Sequence, residues 1–161
     1  MIPRTAMSSL QRLAKGFPVI TLTGPRQSGK TTLAKAVFAS KPYVSLENPD
    51  EREFAERDPR RFLQRFTEGA ILDEAQRCPA LFSWIQGLVD ERGRMSDFIL
   101  TGSAQFDLMS GVTLAGDAAL PPLIVFGGED NYEREACRVM GWRLLELSEP
   151  RQAANAQART T

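Results

Sequence analysis

The chain has no histidine, two cysteines, and only four lysines among its 20 basic residues. Each scarcity removes a class of function. Without histidine there is no His-based triad, no imidazole metal site and no imidazole acid–base step. Cys78 and Cys137 lie far apart and match no metal-ligand spacing. Two lone thiols without a secretory leader point to a reducing compartment, so a cytoplasmic location is expected. No apolar run approaches the roughly 18 residues that a membrane helix needs, and no membrane partner is expected. Neither sign of charge dominates: 20 basic residues balance 20 acidic ones, which gives no bulk attraction for nucleic acid or membrane. What remains is ordinary for a globular protein, with 42% hydrophobic and 25% charged residues over 161 positions. That is one domain's length, enough to bury about two-thirds of the unfolded surface.

One of the four lysines sits in the most informative stretch. Gly24-Pro25-Arg26-Gln27-Ser28-Gly29-Lys30-Thr31, followed by Thr32, fits G-x-x-x-x-G-K-[ST], the phosphate-binding loop. Its flanks agree with it. Val19-Ile20-Thr21-Leu22-Thr23 is β-branched and apolar enough for a buried parallel strand. Residues 32–38 read as a helix with Leu33, Val37 and Ala36 toward the core. A glycine-rich turn with a chance lysine would not require that strand and helix. Gly24 and Gly29 permit positive φ and close approach of a phosphate to the main chain. Successive N–H groups and the helix start then face the anion. Lys30 supplies a mobile cation for the β and γ phosphates, and Thr31 a hydroxyl for Mg²⁺.

Gly69-Ala70-Ile71-Leu72-Asp73-Glu74 is the second such stretch, a short apolar strand ending in two carboxylates. In a phosphate-loop protein this strand delivers an acid beside the metal. Asp73 is expected to hold Mg²⁺ directly or through water, and Glu74 to polarise the attacking water as general base. A third polar strand end, Thr101-Gly102-Ser103, closes the apolar run from Asp97. Ser103 or Thr101 could there bond to phosphate or water; a hydroxyl capping a turn is the plainer alternative.

The other elements are coarser. Met7, Leu10 and Leu13 form one stripe of a leading helix that Gly16 can end. Residues 43–46 read as a short second strand. Asn48 is an N-cap with Pro49 at the first turn and Glu51 closing the capping box, and Asp58-Pro59 restarts a helix through Phe66. Arg57, Arg61 and Arg65 recur every fourth residue. They fit a solvated stripe, or a contact with a phosphate backbone or an acidic partner. From Pro79 to Gly93, Leu81, Phe82, Ile85, Leu88 and Val89 line one side of a helix, with Trp84 read as packing. Beyond Phe106 the signal weakens. Leu108 to Val112 reads as a helical turn, residues 123–126 as a strand and 127–131 as a turn. Residues 138–144 are left open between strand and helix, and a polar tail from Glu149 is expected to be disordered.

Residues 1–112 resemble a prokaryotic family of predicted AAA+ ATPases, whose ATPase domain normally precedes a separate C-terminal domain of unassigned function. The matching words are Leu22 to Leu33, Ile71-Leu72-Asp73-Glu74-Ala75-Gln76 and Ile99-Leu100-Thr101-Gly102-Ser103, in order and at fitting spacing. The resemblance implies a P-loop NTPase α/β fold, a three-layer α/β/α sandwich with a mainly parallel sheet of order 5-1-4-3-2. It implies ATP and Mg²⁺ as cofactors, nucleotide roles for Gly29, Lys30, Thr31 and Asp73, a catalytic role for Glu74 and a sensor role near Ser103. Two departures stand out. Leu114-Ala115-Gly116-Asp117 has an acid where the family has arginine. Residues 122–142 then resemble the end of the family's C-terminal domain. The chain is therefore expected to lack the helical lid and most of that second domain, dividing as 1–112 (ATPase core), 113–148 (divergent segment) and 149–161 (tail). Residues 123–126 would then substitute as the fifth strand.

The expected function is an ATP-binding, Mg²⁺-dependent ATPase with slow turnover or none, since no arginine finger is evident. A non-hydrolysing nucleotide switch or remnant is the alternative. A small-molecule kinase lacks its acceptor pocket and lid arginines in this sequence. Nucleotide is the expected partner, with a homo-oligomer and a DNA or protein contact left open.

Overall fold

The computed structural model describes residues 4–103, 123–126, 132–134 and 137–141. Helix α1 (Arg4–Ala14) leads into strand β1 (Val19–Thr23), the glycine loop and helix α2 (Lys30–Val37). Strand β2 (Tyr43–Ser45) is followed by helices α3 (Pro49–Arg57) and α4 (Pro59–Gln64). Strand β3 (Ala70–Asp73) then runs into a 3₁₀ turn at Ala75–Arg77 and helix α5 (Ala80–Arg92). Strand β4 (Phe98–Gly102) completes the part that carries the motifs. Three more strands follow: β5 (Leu123–Phe126), β6 (Tyr132–Arg134) and β7 (Cys137–Gly141).

All seven strands share one sheet of order β2-β3-β4-β1-β5-β7-β6. The first five positions read β5-β1-β4-β3-β2 from the other end, the expected order, and every pair among them is parallel. Residues 123–126 pair with β1 on the side opposite β4, with Ile20 against Leu123 and Leu22 against Val125. Beyond them β7 pairs parallel with β5, and β6 antiparallel with β7. Of the segment left open between strand and helix, residues 138–141 lie in strand β7 and 142–144 lie outside the described residues, and β6 is a strand that the sequence reading does not contain. Among the described residues no helix follows β4, and none is long and apolar enough to cross a membrane. The turns at 108–112 and 127–131 and the tail from Glu149 lie outside the described residues.

Alternation along the strands feeds two cores. Ile20, Leu22, Ile71 and Ile99 face α1 and α2, where they meet Leu10, Ala14, Leu33, Ala34 and Phe38. Val19, Ala70, Leu72, Phe98 and Leu100 face the other way, onto Ala55 of α3, Phe62 and Leu63 of α4, and Leu81, Phe82, Ile85 and Val89 of α5. A parallel sheet buried on both sides has this apolar run in every strand. The molecule is thus the expected α/β/α sandwich.

Three local expectations change. Ala36 is exposed, and Ala34 and Phe38 fill the core beside Leu33. Trp84 is 47% exposed and stands out from α5, because the buried stripe runs through Leu81, Ile85 and Val89 and leaves position 84 on the outer face. Asn48 caps α3 through the amide of Asp50 at 3.0 Å, and Asp58 caps α4 through that of Arg61 at 3.0 Å. Glu51, however, does not close a capping box. It holds the Arg65 guanidinium, while the Asn48 amide bonds to the carbonyl of Ser45. Arg65 lies over the rings of Phe54, Phe62 and Phe66, and Arg57 pairs with Glu53, so acids and aromatics interrupt the arginine series.

Candidate functional site

Five parallel strands put all their C-terminal ends on one side, and the residues singled out by sequence converge there. The glycine loop leaves β1 through backbone that side chains rarely adopt: φ is 151° at Gly24, 60° at Gln27 and 83° at Gly29. Helix α2 starts immediately, at Lys30. A cleft of about 400 Å³ opens over the loop, lined by Arg26 through Thr32 with Glu47 and Glu74. Seven of the nine expected nucleotide positions are therefore on its wall. Gly24 and Pro25 face Lys30 instead: the ammonium donates to the carbonyls of Gly24 at 2.9 Å and Pro25 at 2.6 Å, and to Ser28 Oγ at 3.1 Å. Burial lowers the Lys30 pKa, and the nearby Glu74 and Asp73 charges partly offset it.

Asp73 ends β3 beside the start of α2. Thr31 Oγ1 donates to its Oδ1 at 2.9 Å, joining motifs 42 positions apart. Thr101, at the end of β4, donates to the same oxygen, and the Tyr43 hydroxyl donates to Oδ2 at 2.8 Å. Burial, then the bond to Asp73 and its charge, push the Tyr43 pKa up to about 12. Among the described residues no cluster of three or more acidic, cysteine or histidine side chains could cage a metal. One carboxylate beside one hydroxyl suits Mg²⁺, which keeps much of its water and takes few protein oxygens.

Glu74 follows in the left-handed region, at φ 55°, which turns the chain into the 3₁₀ turn. Gln76 donates through Nε2 to Glu74 Oε2 and, at 3.3 Å, to Ser103 Oγ. Ser103 donates to Glu74 Oε2 at 3.2 Å. Ser103 thus meets Glu74 and Thr101 meets Asp73, whereas the sequence suggested phosphate or water as the partner of either hydroxyl. Across the mouth, Glu47 pairs with Arg26 at 3.5 Å and with Arg77 at 3.4 Å.

Tyr43, Glu47 and Gln76 were not singled out as site residues. No short motif marks them. Only the β2–β3 register, Tyr43 beside Ile71 and Ser45 beside Asp73, brings the first two to the site. Gln76 was visible inside the Asp73-Glu74-Ala75-Gln76 word but carried no assigned chemistry.

Comparison with known proteins agrees with this geometry. The sequence profile of an AAA domain matches residues 16–124. Two curated relatives are 40% identical over 125 residues: uncharacterized protein Mb2031c of Mycobacterium bovis and uncharacterized protein Rv2008c of Mycobacterium tuberculosis. The aligned region is 74% of this chain and 28% of each relative, so the chain spans well under half the length of the relatives it matches. The phosphate loop on β1, the acidic end of β3 and a profile match over more than half of the chain lead to one conclusion: it belongs to the AAA domain family of nucleotide-binding ATPases.

Proposed function

We propose that this domain binds ATP with Mg²⁺ and hydrolyses it slowly, by in-line attack of water on the γ phosphorus. The observation that carries the reading is the 2.9 Å bond from Thr31 to Asp73, beside a loop whose amides and ammonium surround one cleft. Lys30 would exchange its carbonyl partners for phosphate oxygens and spread the charge that develops on them. The loop amides and the α2 start would hold the triphosphate in line. Thr31 and Asp73 are the oxygen donors that would hold Mg²⁺, which when bound neutralises charge on the β and γ oxygens. Glu74 would orient and deprotonate the water, with Gln76 and Ser103 keeping its carboxylate in place.

Slow turnover is expected because no arginine finger is evident among the described residues, and such a group typically contributes about 10³–10⁵ in rate. Among the described residues Arg26 is the one arginine on the cleft wall, and its charge is engaged by Glu47. A non-hydrolysing switch is the second reading, favoured by the same observation. DNA or an acidic protein would be sought at Arg57, Arg61 and Arg65, and charge reversal there would test retention on DNA at low salt.

The experiment is a titration with a fluorescent ATP analogue, with and without Mg²⁺, together with phosphate release. Lys30→Ala should weaken binding about 10- to 100-fold, the worth of one charge-assisted bond. Glu74→Gln should keep binding and cut any measurable rate about 10²–10⁴-fold. Equal binding by wild type and Lys30→Ala would refute the nucleotide reading. A wild type without any rate would leave the switch.

A further inference from the structure

We propose that Tyr43 is a positioning residue for Asp73, fixing the carboxylate that serves the divalent cation. The proposal rests on the nucleotide reading above and adds to it a residue outside the loop and acid motifs.

The β2–β3 register places Tyr43 and Ser45 beside Ile71 and Asp73, so Tyr43 and Asp73 project to the same side of the sheet. From two residues back, the phenol reaches forward to Oδ2 at 2.8 Å. Its ring is held independently: the Lys35 ammonium of α2 lies 3.5 Å from the ring centroid. Tyr43 thus ties an edge strand, the nucleotide helix and the acid together.

Counting acceptor sites explains why that matters. A carboxylate has about four lone-pair directions. Thr31 and Thr101 use two at Oδ1, and Tyr43 uses one at Oδ2. One direction is left, on Oδ2, for a metal or its water. Without the phenol, Oδ2 has no donor of its own among the described residues, and the carboxylate is fixed through Oδ1 alone. Partners that orient a metal-binding group typically change metal affinity about 10- to 100-fold.

Tyr43→Phe keeps the ring and its contact with Lys35 and deletes only the donor. Tyr43 is 38% exposed, so the change opens no core cavity. The test is a Mg²⁺ titration of a fluorescent ATP analogue bound to the full chain, with a parallel titration in EDTA and Mn²⁺ binding followed by electron paramagnetic resonance. Half-saturating Mg²⁺ should rise about tenfold or more, the Mn²⁺ constant should move with it, and binding in EDTA should stay within about twofold. An unchanged Mg²⁺ dependence would overturn the role of Tyr43, as would an equal loss in EDTA, which would mean general loosening. If wild type and Lys30→Ala fail alike to bind the analogue, the nucleotide reading falls and this proposal falls with it. If the analogue binds normally and only Tyr43→Phe behaves as wild type, the nucleotide reading survives.

Discussion

Asp97 is 1% exposed at its side chain and answers two guanidinium groups, Arg92 at 3.0 Å and Arg94 at 3.1 Å. Its main-chain oxygen also accepts from Lys41 at 3.1 Å. Deleting one member of a buried ionic set leaves the others uncompensated, at a cost of about 3–5 kcal/mol. Arg94 can turn to water, so the lower end is expected: Asp97→Ala should lose about 3 kcal/mol in urea unfolding, with nucleotide binding retained below the transition. Residues of this kind explain what sequence disclosed and what it did not. Lys30, Thr31 and Asp73 were legible because phosphate and metal chemistry fix both their type and their spacing. Asp97 looked like a strand's first residue, since the two arginines three and five positions before it fold back onto it only when the turn after α5 forms. Tyr43, Glu47 and Gln76 were hidden because each has a partner at least 21 positions away: Asp73 for Tyr43, Arg26 and Arg77 for Glu47, and Ser103 for Gln76. Trp84 lies off the buried stripe of α5, so helix phase itself argued against reading it as packing.

At the scale of elements, two glycines make opposite predictions. Gly69 turns the chain into β3 at φ 75°, and a Cβ there would sit 1.6 Å from the main-chain oxygen of Asp97. The same oxygen accepts the Ala70 amide at 3.2 Å, so β3 cannot back away without losing its first link to the β4 side of the sheet. Gly69→Ala should therefore cost about 3–5 kcal/mol, from combined strain and overpacking. Gly87 lies in the middle of α5, where an added Cβ would meet nothing within 4 Å and φ is not positive. Gly87→Ala should stabilise by about 0.5–1 kcal/mol. Thermal unfolding of the two variants checks both signs at once. The elements were the most legible part of the fold. The caps at Asn48 and Asp58 and the stop at Gly93 are local chemistry, and local chemistry is what a sequence displays. Glu51 failed to complete its box because a guanidinium 14 positions away competed for it.

For the whole molecule, the order of the first five strands was implied by the resemblance to the AAA+ ATPases, whose matching words fall on β1, β3 and β4 while β2 and β5 carry none. Nothing comparable marks β6 and β7, whose places depend on pairing partners and not on their own residues. Three register pairs join β5 to β1, against five that join β4 to β1. The outer strands therefore connect to the rest through a short seam. Hydrogen exchange should reflect it: β6 amides, at the rim, should exchange first, and those of β1 and β4 should approach the rate of global unfolding. Strand β1 carries both that seam and the root of the glycine loop. A ligand that stiffens β1 should therefore slow exchange in strands it never touches, making the far hem of the sheet a remote reporter of occupancy.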